Sequence, residues 1–349
     1  MVLGVIIGNF APHVQQTFDT VRFRGVSVPI SAGLIAMMWP ILTKVQYETL
    51  HALFSSRFIW THIAISLAFN WILGPFVMLA LAWATLPDLP TYRVGVIMVG
   101  LARCIAMVMI WNELAGGDPN YCAILVTVNS ILQILLYSPY ALLFINVIGG
   151  QGNTHIQVAY GDVAIAVLIY LGIPVAAGIV TRYFVWMVVG KGSLDRKFVP
   201  VFSLLSLLGL LYTIVVLFAY QGHHIVHNLG PVFRVFVPMV LYFVFMWTFA
   251  FYSLHRLSRC YGAEGYGYPM AVAHSFTAGS NNFELAIAVA IAVYGVGSDQ
   301  ALAATIGPLV EVPVLLALTW VALYLKGTLR WDGAPQTNEL TIGEDVKPA

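Results

Sequence analysis

The chain has 349 residues, 60% of them hydrophobic and 9% charged, with a formal net charge of +1 and a mean hydropathy of +0.86. That balance excludes a water-soluble globular domain, and the lack of a basic tract excludes an electrostatic nucleic-acid binder. The three cysteines, Cys104, Cys122 and Cys260, form neither a disulfide framework nor a zinc pattern.

In chain order, Met1–Phe10 is apolar but too short to span, and it lacks the basic start and cleavage site of a signal peptide. It predicts a partial first helix, either abbreviated or lacking its beginning. Apolar runs of membrane length predict spans at Val26–Thr43, Phe58–Trp83, Tyr92–Trp111 and Tyr121–Ile148. The second half predicts Asp162–Met187, Phe198–Tyr220, Pro231–Leu254, Tyr268–Val293 and Ala301–Leu325. Two sets of five predict an all-α polytopic membrane protein. Its transporter domain covers residues 1–328, as inverted repeats over about 1–150 and 160–328. The polar stretch 329–349 predicts a disordered cytoplasmic tail.

Lys44, Arg57, Lys191, Arg196, Lys197, Arg256, Arg259, Lys326 and Arg330 follow even-numbered spans, and the other side holds little beyond Arg22, Arg24 and Arg93. By the positive-inside rule, both termini are cytoplasmic.

Two spans carry charge and irregular backbone signals at mid-depth. Val96–Trp111 has Arg103 and Cys104 at its centre, and Met270–Val293 has a polar hinge, Thr277–Asn282, followed by Glu284. Charge inside a span marks a substrate or ion path, and a broken spanning helix needs protein or a wet cavity to satisfy its backbone. Matching interruptions in the two halves are the pattern of a secondary-transporter binding site.

Cys104, beside a positive charge, suits a soft thiophilic solute; the alternative is a small packing residue. Glu284 is placed to alternate between protonated and charged forms; the alternative is a permanent ion pair with Arg103. Glu311, between Pro308 and Pro313 in a span that the prolines should kink, is a second carboxylate for the same cavity or its support. Asn70, Trp71, Asn129 and Ser130 are mid-span polar groups of the kind that hold helices together. Glu113 and Asp118 read as turn and cap residues. His223, His224 and His227 sit in a predicted external loop without the motif that would make a zinc hydrolase. Neither a dinucleotide fingerprint, a P-loop nor a nucleophile elbow is present, so no cofactor is expected.

The stretches GLARCIAMVMIWNELAGGD, VNSILQILLYSPY, FTAGSNNFELAIAVAIAVYG and ATIGPLVEVPVLLAL closely resemble the Acr3 family of arsenite efflux permeases. That family lies within the bile acid/arsenite/riboflavin transporter superfamily, and the resemblance runs from about Val2 to Lys326. It implies ten helices as two inverted five-helix repeats, with the discontinuous fourth and ninth helices crossing near the substrate. It also implies export of trivalent arsenite, in some members antimonite, in exchange for protons. The family's fourth-span cysteine falls on Cys104 and its ninth-span glutamate on Glu284.

The expected mechanism binds trivalent arsenic at Cys104. Asn129, Ser130, Ser280, Asn281 and Asn282 hold its hydroxyls, and protonation of Glu284 loosens its hold on Arg103. A plasma-membrane location and a self-sufficient monomer agree with this. The competing readings are a sodium-coupled organic-anion transporter of the same superfamily, a membrane-embedded hydrolase using Glu284 and Glu311, and a receptor or structural bundle.

Overall fold

The computed structural model describes Ile6 and residues 22–23, 26–45, 47–49, 57–105, 107–149, 158–227 and 229–331. The predicted partial first span, apart from Ile6, and the tail from 332 lie outside the described residues.

Strand among the described residues is confined to the antiparallel pair β1 (Arg22–Phe23) and β2 (Val26–Ser27). The predicted span at Val26 therefore becomes helical two residues later, as α1 (Val28–Lys44). Then come α2 (Phe58–Thr85), α3 (Pro90–Leu101), α4 (Met107–Leu114), α5 (Pro119–Val147) and α6 (Tyr160–Val189). The chain continues with α7 (Val199–His227), α8 (Leu229–Tyr261) and the short α9 (Ala263–Tyr266). It closes with α10 (Tyr268–Ala278), α11 (Phe283–Tyr294) and α12 (Asp299–Thr328).

Among the described residues, six helical stretches are long and apolar enough to cross a membrane. Large apolar side chains, Met187, Phe184 and Trp320 among them, point outward. Exposed apolar surface on that scale suits lipid rather than water.

Local chemistry explains the element ends. Asp118 caps α5, Asn282 caps α11 and Ser298 caps α12, each accepting a backbone N–H three residues on. Wide π turns at Ala68–Leu73 and Leu168–Gly172 precede Pro75 and Pro174. A proline ring crowds the carbonyl four residues back and widens the turn there. By contrast, α12 stays continuous through Pro308 and Pro313. The backbone of α7 is helical through His227, where the sequence suggests a loop, because the first stop signal is the Asn228–Pro231 stretch. The side chains of His223, His224 and His227 lie outside the described residues.

α6 and α7 both pack on α1, while α8 packs on α10 and α12, and α3 and α11 both pack on α12. Close approach needs small residues: a Cβ on Gly209 of α7 would come 2.9 Å from the Met37 backbone nitrogen of α1. The interrupted helices α3 and α10–α11 lie at the centre, buried along nearly their whole length.

Three ionic or polar ties hold the loops. Arg182, buried in α6, donates to Glu48 at 3.0 and 2.5 Å and to Asp195 at 3.3 Å. Burial pushes the Glu48 carboxyl up, but the Arg182 hydrogen bond and charge, with Lys191, outweigh it and hold it below the usual range. Arg234 of α8 grips Asp88 with two bonds of 2.6 Å and holds its carboxyl at about 2. Arg93, which reads as an outer-face charge in the sequence, is buried; its guanidinium lies 3.6 Å from the Trp83 ring and donates to the Leu86 and Pro87 carbonyls.

Candidate functional site

The two helix interruptions meet. Arg103 and Asn281 form an antiparallel bridge, and the Asn282 amide donates to the Ala102 carbonyl at 3.1 Å. A broken spanning helix frees backbone groups that must find partners in the protein. At the end of α3 the Ala102 amide turns to Val99, three residues back, which frees the Met98 carbonyl. Tyr137 donates its hydroxyl there at 3.0 Å. The Asn281 side-chain amide donates to the Val99 carbonyl at 2.5 Å, and Gln133 accepts the Arg103 amide at 2.7 Å.

Arg103 is fully buried. One guanidinium nitrogen donates to the Tyr242 hydroxyl at 2.9 Å, and Tyr242 reaches on to the Ala278 carbonyl at 3.5 Å. Tyr242 thus touches both interruptions. Gly74 of α2 makes the room, since a Cβ there would lie 2.6 Å from the same guanidinium nitrogen. Arg103 forms no ion pair with Glu284 within 4.0 Å among the described residues; Glu284, in the first turn of α11, is only partly buried. The expected Arg103–Glu284 pair is absent from this conformation, because Tyr242 and the α3–α10 crossing hold the arginine.

Cys104 follows Arg103 in the non-helical stretch, buried and just ahead of the amino terminus of α4. Glu311 of α12 is buried.

The remaining predicted residues divide. Asn129 accepts from Trp71 at 3.0 Å, which ties α5 to α2, and Ser130 donates to the Val126 carbonyl of its own helix. Asn70 bonds Ser66 within α2. Cys122 is buried in α5, and Cys260 is exposed at the end of α8.

Around the crossing, several buried polar atoms have no hydrogen-bond partner among the described residues: two guanidinium nitrogens of Arg103, the side-chain nitrogens of Asn129, Gln133 and Asn282, the Asn281 and Glu311 oxygens, and the Ser280 hydroxyl. Buried polar atoms are ordinarily paired, so such a concentration marks a place for a polar solute. Gln133 and Tyr242 are the residues that sequence reasoning misses. Gln133 lies one helical turn beyond Asn129, a spacing visible in the sequence, whereas nothing sets Tyr242 apart from its aromatic neighbours.

Comparison with known proteins gives the family. Residues 31–228 match the Sodium Bile acid symporter family. The arsenical-resistance protein Acr3 of Corynebacterium glutamicum is 39% identical over 328 residues, covering 93% of this chain and 86% of that protein. An uncharacterized transporter of Synechocystis sp. is 30% identical over 95% of the chain and 86% of its own length. The arsenical-resistance protein Acr3 of Alkaliphilus metalliredigens is 28% identical over 92% and 88%. With this coverage, and with two interrupted helices meeting at a buried polar centre, the chain belongs to the Acr3 family, within the sodium bile acid symporter family, and is a transporter rather than an enzyme.

Proposed function

We propose that the protein exports arsenite from the cytoplasm by proton antiport and so confers resistance to arsenicals. The observation that carries this reading is the set of unused donors and acceptors around the buried Cys104. The arsenical-resistance relatives support the same cargo.

Arsenite arrives as an uncharged trihydroxide. The Cys104 sulfur attacks arsenic, an As–S bond forms and one As–O bond breaks. The departing hydroxide leaves as water with the proton the thiol gives up, and arsenic stays trivalent. A thiolate is a soft ligand and suits arsenic(III) and, by the same chemistry, antimony(III). Arg103, Asn129, Gln133 and Asn282 offer N–H groups to the remaining hydroxyls, and Ser280 and Asn281 offer oxygen. Ser130, whose hydroxyl is already donated, contributes at most a lone pair.

Glu284 takes the proton arriving from outside, and the buried Glu311 is the second carboxyl group assigned to the coupling. Coupling runs through these two carboxyl groups, since Tyr242 engages Arg103. Movement of the α1–α6–α7 group against the helices around the crossing changes access, in a ten-helix inverted-repeat frame. The protein sits in the cell membrane with both termini cytoplasmic.

The test is arsenite uptake into everted vesicles with and without an acid interior. Gradient-driven accumulation by the wild type, independent of sodium and lost in Cys104→Ser, is expected. Full-rate uptake by correctly inserted Cys104→Ser removes the thiolate step, and strict sodium dependence revives the organic-anion reading.

A further inference from the structure

A second buried polar cluster lies outside the arsenite contacts. His62 of α2 and His274 of α10 are both buried, with His62 Nδ1 and His274 Nε2 3.0 Å apart. The Tyr121 hydroxyl of α5 lies 3.3 Å from the same His274 nitrogen. Phe58, Phe69 and Tyr266 close around the rings. The outer nitrogens, His62 Nε2 and His274 Nδ1, have no hydrogen-bond partner among the described residues.

Among the described residues, the titratable side chains facing the pair are Tyr121 from α5 and Tyr266 from α9. Asp118, the cap of α5, accepts from the Tyr121 amide. Neither histidine has an ion pair among the described residues.

Two neutral imidazoles sharing one hydrogen bond leave one ring nitrogen bare at one end and one N–H at the other. Buried polar atoms without partners are costly, and here they stand at the two ends of a hydrogen-bonded chain. His274 lies one turn before the end of α10 at Ala278, while His62 lies near the start of α2, on the side where the loop charges place the cytoplasm.

We propose that His62 and His274 form a proton relay from the α10–α11 hinge to the cytoplasm, the exit for the proton exchanged against arsenite. This rests on the antiport reading. A proton binds His274 Nδ1, the Nε2 proton crosses to His62 Nδ1, and His62 Nε2 releases its own. Rotation of the rings restores the starting tautomers.

Glutamine keeps much of the volume and hydrogen bonding of histidine but does not pass a proton through a ring. In reconstituted vesicles, His62→Gln and His274→Gln should each lose roughly tenfold or more of gradient-driven arsenite accumulation, while arsenite equilibrium exchange stays within about twofold. Retained accumulation in both, or a parallel loss of exchange, overturns the relay. A wild type that exchanges arsenite without gradient-driven accumulation removes the antiport reading instead, and the relay with it. Histidine-labelled wild type gives a test without a variant, because coupling across the N···N hydrogen bond identifies the pair. Coupling observed between His62 Nδ1 and His274 Nε2 supports the relay, and its absence overturns it.

Discussion

Arg103 and Tyr242 share a hydrogen bond of 2.9 Å across the buried centre, and the guanidinium that makes it occupies the space a side chain at Gly74 would need. A cation at this depth is costly unless its position is fixed by polar contacts. Here three helical segments fix it: the end of α3, α8 and the glycine of α2.

Gly74→Ala should therefore displace Arg103. Its Cβ would meet the guanidinium at 2.6 Å and the Tyr242 hydroxyl at 2.9 Å. Overpacking of this kind costs about 1–3 kcal/mol, read as a lower unfolding midpoint in detergent, with arsenite uptake reduced. Gly172→Ala, whose new Cβ would have no neighbour closer than 3.7 Å, is the control and should leave uptake unchanged.

Gln133→Leu removes the acceptor of the Arg103 amide. A buried N–H left unsatisfied costs about 1–3 kcal/mol, so the variant should unfold at lower temperature. Gln133→Glu keeps an oxygen in place and should lose less stability than the leucine variant. Equal losses would show that the bond does not hold the interruption.

The Arg182–Glu48 pair ties the turn after α1 to α6. Glu48 titrates lower in the folded protein than in the unfolded chain. Its stabilisation is therefore complete above the unfolded value of about 4.3 and is lost as pH falls through the lower folded value. Melting curves of the wild type should show this acid loss, and Glu48→Gln should lack that part of it. Arg182→Met leaves Glu48 partly buried with only the exposed Lys191, 3.4 Å away, as partner, so at neutral pH it should be the more destabilised of the two variants.

Glu284→Gln should separate transport from coupling. Arsenite equilibrium exchange is expected to continue, and accumulation driven by a proton gradient to disappear. Everted vesicles measure both, and a variant that still accumulates arsenite against an acid interior excludes Glu284 as the proton carrier.

Several features are legible in the chain. Apolar runs mark the helical stretches long enough to cross a membrane, such as Phe58–Thr85 and Asp299–Thr328, because a bilayer of fixed thickness requires uninterrupted apolar length. Arg103 beside Cys104, and the Thr277–Asn282 hinge, mark the interruptions because polar groups inside a span need a reason to be there. Asp118 is readable as a cap from its place before Pro119. Arg93 misleads: composition counts it as a loop charge, whereas the Trp83 face and two carbonyls draw it into the fold.

By itself the sequence determines that the chain is a membrane protein with two broken helices, since hydropathy and helix breaking are local properties written in consecutive residues. Only the tertiary structure decides which groups those breaks present to one another. Charge alone suggests Glu284 as the partner of Arg103, but packing gives the arginine to Tyr242, 139 residues away, and sets His62 against His274, 212 residues away. Such pairs depend on which helices cross and on where a glycine lets them approach, and no local pattern carries that information.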